Sequence, residues 1–220
     1  QQDQHSLADL PALLSDEAGG HLEEMARVST AITRRRFGNT ISLYAPLYIS
    51  NVCRNRCAYC GFSASVDVPR ISLTAAEIDA ELVALREMGF GHILLVTGEA
   101  PKLVPVSQLA HLINKAKQTV PHVTIEIYPL CVEEYRTLVE AGCDGVTVYQ
   151  ETYNRDVYAQ VHLSGPKRDF DARYDTPLRA ARAGMRSVGM GFLLGLADWR
   201  EETLALAAYG KQVLAQDWRV

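Results

Sequence analysis

Apolar positions along this chain switch between two spacings, and the switch repeats. Leu47, Tyr48 and Ile49 form a short apolar run that reads as a strand, and His92 to Val96 reads as a buried one. Val123, Ile125 and Ile127 alternate with polar neighbours as a third strand ending at Pro129, followed by Val146 to Gln150 and Ser187 to Leu194. Between these runs the spacing widens to that of a helix face. Ile78, Leu82 and Leu85 follow the capping box Thr74-Ala-Ala-Glu77, and Gly89 ends that helix. Leu109, Leu112, Ile113 and Ala116 predict a second helix, stopped before Pro121, and Glu133 to Ala141 a third, ended by Gly142. Thr176-Pro177 opens another, since proline is tolerated in a first turn, and Gly184 ends it; Glu201 to Val213 is the last. Thr152 to Tyr174 is a longer excursion with a short helix through Tyr158 and Val161. Ahead of the first strand, Leu22, Met25, Ala26, Val28 and Ile32 predict an amphipathic helix that runs into Arg34-Arg35-Arg36 and stops at Gly38. The triple arginine there reads as a solvated helix end.

Strands and helices alternating at this spacing predict an α/β fold with a parallel sheet and helical crossovers. No glycine-rich dinucleotide loop follows the first strand, which disfavours a doubly wound sheet and leaves part of a (β/α)8 barrel of TIM type, with about five βα units. The expected division is an N-terminal helical extension over 1–40 and a partial barrel over 41–220. Five strands do not close an eight-stranded barrel, and the start at Gln1 and the polar finish from Gln216 to Val220 are those expected of a fragment whose last strand has an open edge.

Composition narrows the partners. The 220 residues are 48% apolar and carry a net charge of -4 with mixed signs, an ordinary globular balance with no nucleic-acid footprint. The longest apolar run, Val188 to Ala197, is interrupted by glycines and too short to span a bilayer, so no membrane partner is expected. Five cysteines, an odd number, do not suggest a secreted disulfide scaffold and point to a reducing cytoplasm.

The chemistry concentrates in Cys53-Arg-Asn-Arg-Cys57-Ala-Tyr-Cys60-Gly-Phe62, where three cysteines follow the first strand as C-x3-C-x2-C. A structural zinc site takes four ligands, so three thiolates leave it unclosed; they suit an iron–sulfur cubane whose fourth iron stays open. A zinc knuckle with a histidine as fourth ligand and a Cys57/Cys60 redox pair are the competing readings. Neither His21 nor His92 has knuckle spacing, and the redox pair leaves Cys53 without a role.

The run Cys53, Cys57, Tyr59, Cys60 resembles the C-x3-C-x-aromatic-C signature of radical S-adenosylmethionine (SAM) enzymes. The resemblance implies a [4Fe–4S] cluster on Cys53, Cys57 and Cys60 and a SAM molecule that is cleaved to a 5′-deoxyadenosyl radical. Thr97-Gly98-Glu99, at the end of the second strand, is similar to the family's G-G-E motif that meets the SAM amino group, with threonine for the first glycine. Glu151, at the end of the fourth, is placed to accept from a ribose diol, the usual task of a carboxylate near a nucleoside. Gly191-Phe-Leu193-Leu-Gly195-Leu-Ala-Asp198 is similar to the family's G-x-I-x-G-x-x-E element beside the adenine, with leucine and aspartate substituted. Arg173 matches a position where related enzymes keep an arginine for the SAM carboxylate, a bidentate task.

Within that family the chain is similar to the tyrosine lyases of thiazole biosynthesis, through Arg36-Phe-Gly-Asn-Thr40, Pro46-Leu-Tyr-Ile-Ser-Asn51, Leu94-Leu-Val-Thr-Gly-Glu99, Tyr149-Gln-Glu-Thr-Tyr153 and Arg173-Tyr-Asp-Thr-Pro177. The resemblance implies cleavage of the Cα–Cβ bond of L-tyrosine to p-cresol and 2-iminoacetate. It also implies a reductant such as flavodoxin or ferredoxin, and thiazole synthase as a partner. The related tyrosine lyase of [FeFe]-hydrogenase maturation, which makes carbon monoxide and cyanide, is the first alternative, and a non-catalytic metal-binding or redox-thiol module the second. Tyr44, Tyr48 and Tyr153 could face the cavity. Cys131 and Cys143 read as core thiols, and the histidines, among them His92, His111 and His162, as surface or capping residues.

Overall fold

In the computed structural model, which describes residues 6–215, the five predicted strands form one parallel sheet. They are β1 (Ala45–Ser50), β3 (His92–Thr97), β4 (His122–Glu126), β5 (Gly145–Glu151) and β7 (Ser187–Phe192), ordered β1-β3-β4-β5-β7. Two short strands, β2 (Arg56–Cys57) and β6 (His162–Ser164), pair antiparallel apart from it. The order of the parallel strands never reverses. With right-handed crossovers each step runs the same way, so the connecting helices cover one face, as in a barrel wall and unlike a doubly wound sheet.

The helices are α1 (Leu10–Leu13), α2 (Leu22–Phe37), α3 (Ala75–Glu87), α4 (Val106–Thr119), α5 (Val132–Glu140), α6 (Arg155–Val161), α7 (Phe170–Tyr174), α8 (Thr176–Arg182) and α9 (Trp199–Leu214). Their predicted apolar faces form the core. Ile78 and Leu82 of α3, Leu109, Leu112, Ile113 and Ala116 of α4, and Tyr135 and Leu138 of α5 pack with Ile93, Leu95, Val123 and Ile125 of the sheet. The capping box at Thr74 is formed in both directions. The excursion after β5 holds more than the predicted α6: it also contributes β6, a turn at Pro166–Arg168 and α7. Helix α2 forms where the pattern placed it, yet none of its residues is buried, and Leu22 and Val28 lie open. The polar finish at 216–220 lies outside the described residues. Among the described residues no helix is long and apolar enough to cross a membrane.

Two buried carboxylates fasten the sheet. Glu202, in the first turn of α9, accepts from Thr152 Oγ1 at 2.6 Å and from the backbone N–H of Tyr153 at 2.7 Å, which fixes the loop leaving β5. Asp144, ahead of β5, accepts at Oδ2 from Lys117 Nζ at 2.8 Å and the Val123 N–H at 2.9 Å. Burial pushes the Asp144 carboxyl up, but these donors and His122 outweigh it and hold it below the usual range. Such a group stabilises the fold above its unfolded pKa, and the contribution is lost as pH falls through the lowered folded value. Asp144→Asn is therefore expected to cost about 2 kcal/mol at neutral pH, and less in acid. Urea unfolding of both proteins at the two pH values checks this, and equal stability at neutral pH would contradict it.

Candidate functional site

The loop leaving β1 carries the three cysteines, and its shape is set by contacts reaching far along the chain. Ser50, the last residue of β1, bonds Ser72 Oγ at 2.7 Å and receives the Gly98 N–H on its carbonyl at 2.9 Å. Asn55, between the first two cysteines, is buried and joins three elements. Its Nδ2 donates to Glu99 Oε2 at 2.7 Å, and its Oδ1 accepts the Lys167 N–H at 2.9 Å. Arg70 closes the far side by donating to the carbonyls of Asn51, Phe62, Ser63 and Val66 at 2.7–3.1 Å. Two glycines let neighbouring backbone come this close. A Cβ on Gly98 would lie 2.3 Å from the Val52 carbonyl oxygen, and one on Gly165 would lie 2.8 Å from the Asn55 Cα.

The loop roofs a cavity of ≈ 250 Å³ over the C-terminal ends of β1, β3, β4 and β5, where barrel enzymes place their chemistry. Cys53, Cys57, Cys60, Tyr59, Gly98, Glu99, Glu151 and Arg173 all line it. Leu193 does not. It stands just past β7 and donates its N–H to the Glu151 carbonyl at 2.7 Å. Tyr48 also lines the cavity, whereas Tyr44 lies beside His92 and Tyr153 packs against Tyr174 and Tyr209.

The cavity is strongly charged and largely shielded. Lys167 Nζ meets Glu151 Oε1 at 2.7 Å, with both side chains under 15% exposed, and Arg173 Nη2 stands 3.8 Å from the same oxygen. Arg173 also donates from Nε to the Tyr149 carbonyl at 2.7 Å. Glu151 sits at φ 73°, the one non-glycine residue with positive φ among those described, where the β5–β7 register shifts. Burial and then the Glu151 charge push the Glu126 carboxyl up. Burial likewise raises the Cys57 thiol, opposed by the Lys167 ammonium.

Tyr59 is held by His162, for which the sequence predicts a surface or capping place. His162 is fully buried; its Nδ1–H donates to the Tyr158 carbonyl at 2.9 Å, and its Nε2 accepts from the Tyr59 hydroxyl at 2.7 Å. Burial lowers its pKa to about 4, so the ring is neutral and the acceptor role of Nε2 follows. A second correction concerns Cys131. Cys143 is a core thiol as expected, but Cys131 is exposed, because it is the N-cap of α5 and its N–H is taken by Glu134. Lys167, Asn55 and His162 were missed as site residues. Only Asn55, inside the cysteine motif, carried a local signal.

The donor set fits a cluster. Its three cysteines are free thiols that line one cavity. A cubane gives each of three thiolates its own iron and leaves the fourth open, whereas a structural zinc ion needs a fourth ligand.

Residues 47–207 match the Radical SAM superfamily. The chain is 46% identical over 202 residues to 2-iminoacetate synthase of Escherichia coli (strain K12), covering 91% of this chain and 54% of that protein. Among solved structures it is similar to the FeFe-hydrogenase maturase HydG from Carboxydothermus hydrogenoformans, with TM-score 0.86 and 33% identity over 96% of this chain and 50% of that one. It is also similar to methylornithine synthase (PylB), with TM-score 0.79 and 25% identity over 96% of this chain and 62% of that one. The chain thus spans about half the length of the curated relatives it matches.

Proposed function

The chain belongs to the radical SAM superfamily, and from that premise we propose that it serves a lyase cleaving the Cα–Cβ bond of L-tyrosine to p-cresol and 2-iminoacetate. Enzymes of this superfamily use a [4Fe–4S] cluster and SAM. The observation that carries the radical chemistry is the single cavity at the strand ends that gathers three free thiols with Glu99, Glu151 and Arg173. The choice of tyrosine rests on the 46% identity to 2-iminoacetate synthase.

In this reading Cys53, Cys57 and Cys60 hold the cluster, and when bound with SAM it supplies, for one electron, a hydrogen-abstracting 5′-deoxyadenosyl group. The protein's own residues orient and shield. The Gly98–Glu99 turn receives the amino group of SAM, Arg173 its carboxylate and Glu151 its ribose diol, while Leu193 stands near the adenine. Tyr59, fixed by neutral His162, keeps the loop beside the nucleoside in one conformation. The stoichiometry closes with two electrons and one proton. SAM and tyrosine would give methionine, 5′-deoxyadenosine carrying the hydrogen from the tyrosine amino group, 2-iminoacetate and p-cresol, one electron being used on SAM and the second, with the proton, on the 4-hydroxybenzyl fragment. A reductant such as flavodoxin or ferredoxin would supply the electrons in a reducing cytoplasm, and thiazole synthase would consume the imine.

The structural likeness to HydG favours a second reading, in which the product set is that of a hydrogenase maturase. One experiment separates them. The intact gene product, reconstituted without oxygen, is given SAM, reductant and L-tyrosine. Equal amounts of 5′-deoxyadenosine and p-cresol without carbon monoxide are expected. Carbon monoxide in addition selects the second reading, and deoxyadenosine without p-cresol removes tyrosine from both. Glu151→Gln is expected to weaken SAM binding on the order of tenfold while leaving iron content unchanged, as judged by equilibrium binding. Unchanged affinity would take Glu151 out of the site.

A further inference from the structure

Both polar groups of the Lys167 main chain are fixed: the N–H by Asn55 of the cysteine loop at 2.9 Å, and the carbonyl by the Tyr158 hydroxyl at 2.5 Å. From this anchored backbone the side chain reaches the Glu151 carboxylate at 2.7 Å and passes 5.6 Å from the centroid of the Tyr59 ring. Arg173 cannot replace it, because its Nε is spent on the Tyr149 carbonyl and its Nη2 stays 3.8 Å from Glu151. Glu151 is also the residue held at positive φ, a conformation that persists only where the surroundings impose it. Its carbonyl is bound by Leu193 and its carboxylate by Lys167.

Resting on the nucleoside site proposed above, we propose that Lys167 is a positioning residue: it binds Glu151 Oε1 and so presents Oε2 to the ribose diol, tying the nucleoside carboxylate to the cysteine loop. The chemistry is that of a shielded ion pair. Removing the lysine leaves Glu151 only the more distant Arg173, at 3.8 Å, and a carboxylate released from its strained position turns to find another donor. Since Asn55 links the same lysine to Glu99, the loop, the amino-group motif and the ribose carboxylate form one connected frame.

The test is a double-mutant cycle on the reconstituted holoenzyme, with S-adenosylhomocysteine as an uncleavable probe and iron content as the check that each variant is folded and loaded. Lys167→Met is expected to weaken probe binding on the order of tenfold, yet to add little in a Glu151→Gln background, because the two residues act as a unit. A merely structural lysine would weaken binding in both backgrounds alike. Lys167→Met with wild-type affinity, or losses that simply add, overturns the inference while leaving the nucleoside site standing. A loaded wild-type protein that binds no probe overturns the site and the inference together. Should the methionine variant fail to load iron, Lys167→Gln, which keeps a donor on a side chain one atom shorter and loses the charge, is read against the same outcomes.

Discussion

Cys57→Ala is expected to abolish SAM cleavage, by a factor of roughly a thousand or more, because two thiolates cannot hold a cubane securely. Cys57 is the most buried of the three and lies in β2, paired with His162 of β6, so its sulfur is placed by strand pairing as well as by the loop. The substitution removes a ligand from a small buried side chain without disturbing the sheet, whose core lies among β3, β4, α4 and α5. The variant should therefore fold while its iron content collapses. Iron and sulfide analysis alongside deoxyadenosine formation checks the result, and a variant that still cleaves SAM at the wild-type rate would sink the cluster assignment.

Gly98→Ala is expected to have the second largest effect, through sterics alone. The added Cβ would sit 2.3 Å from the Val52 carbonyl oxygen and 2.9 Å from its carbon, which are backbone atoms of the loop with no rotamer to change. Either β3 and the loop separate, or the protein takes the strain, at about 2–3 kcal/mol. Separation would also break the Gly98 N–H bond to Ser50 that starts the loop. Lower stability together with reduced iron loading is the expected outcome, measured by urea unfolding and metal content. A variant that loads and unfolds like wild type would show that the close approach does not matter.

The elements legible in the sequence are those whose information is local. The β3 run Ile93-Leu-Leu95 and the α4 face at Leu109, Leu112, Ile113 and Ala116 are buried as their spacing predicts. The cysteine motif is likewise local, and all three thiols reach one cavity. What escaped depends on partners remote in the chain. Tyr59 and His162 are 103 residues apart and Asn55 and Lys167 are 112 apart, with no periodicity to link them. Glu202 lies in a Glu-Glu pair with nothing local to mark it as buried, and its three donors all come from the loop after β5. Cys131 has apolar neighbours in sequence, but a cap position turns it outward. The α2 stripe shows the opposite failure: the pattern is real, and no described element covers it.

The measurement closest to the central claim is the electron paramagnetic resonance spectrum of the reduced, reconstituted protein before and after SAM is added, with iron and sulfide counted on the same sample. Four irons per chain and a spectrum that changes on adding SAM are expected, since the open iron is where SAM binds. A full complement of iron with a spectrum indifferent to SAM, or zinc in place of iron, would contradict the assignment of this cavity.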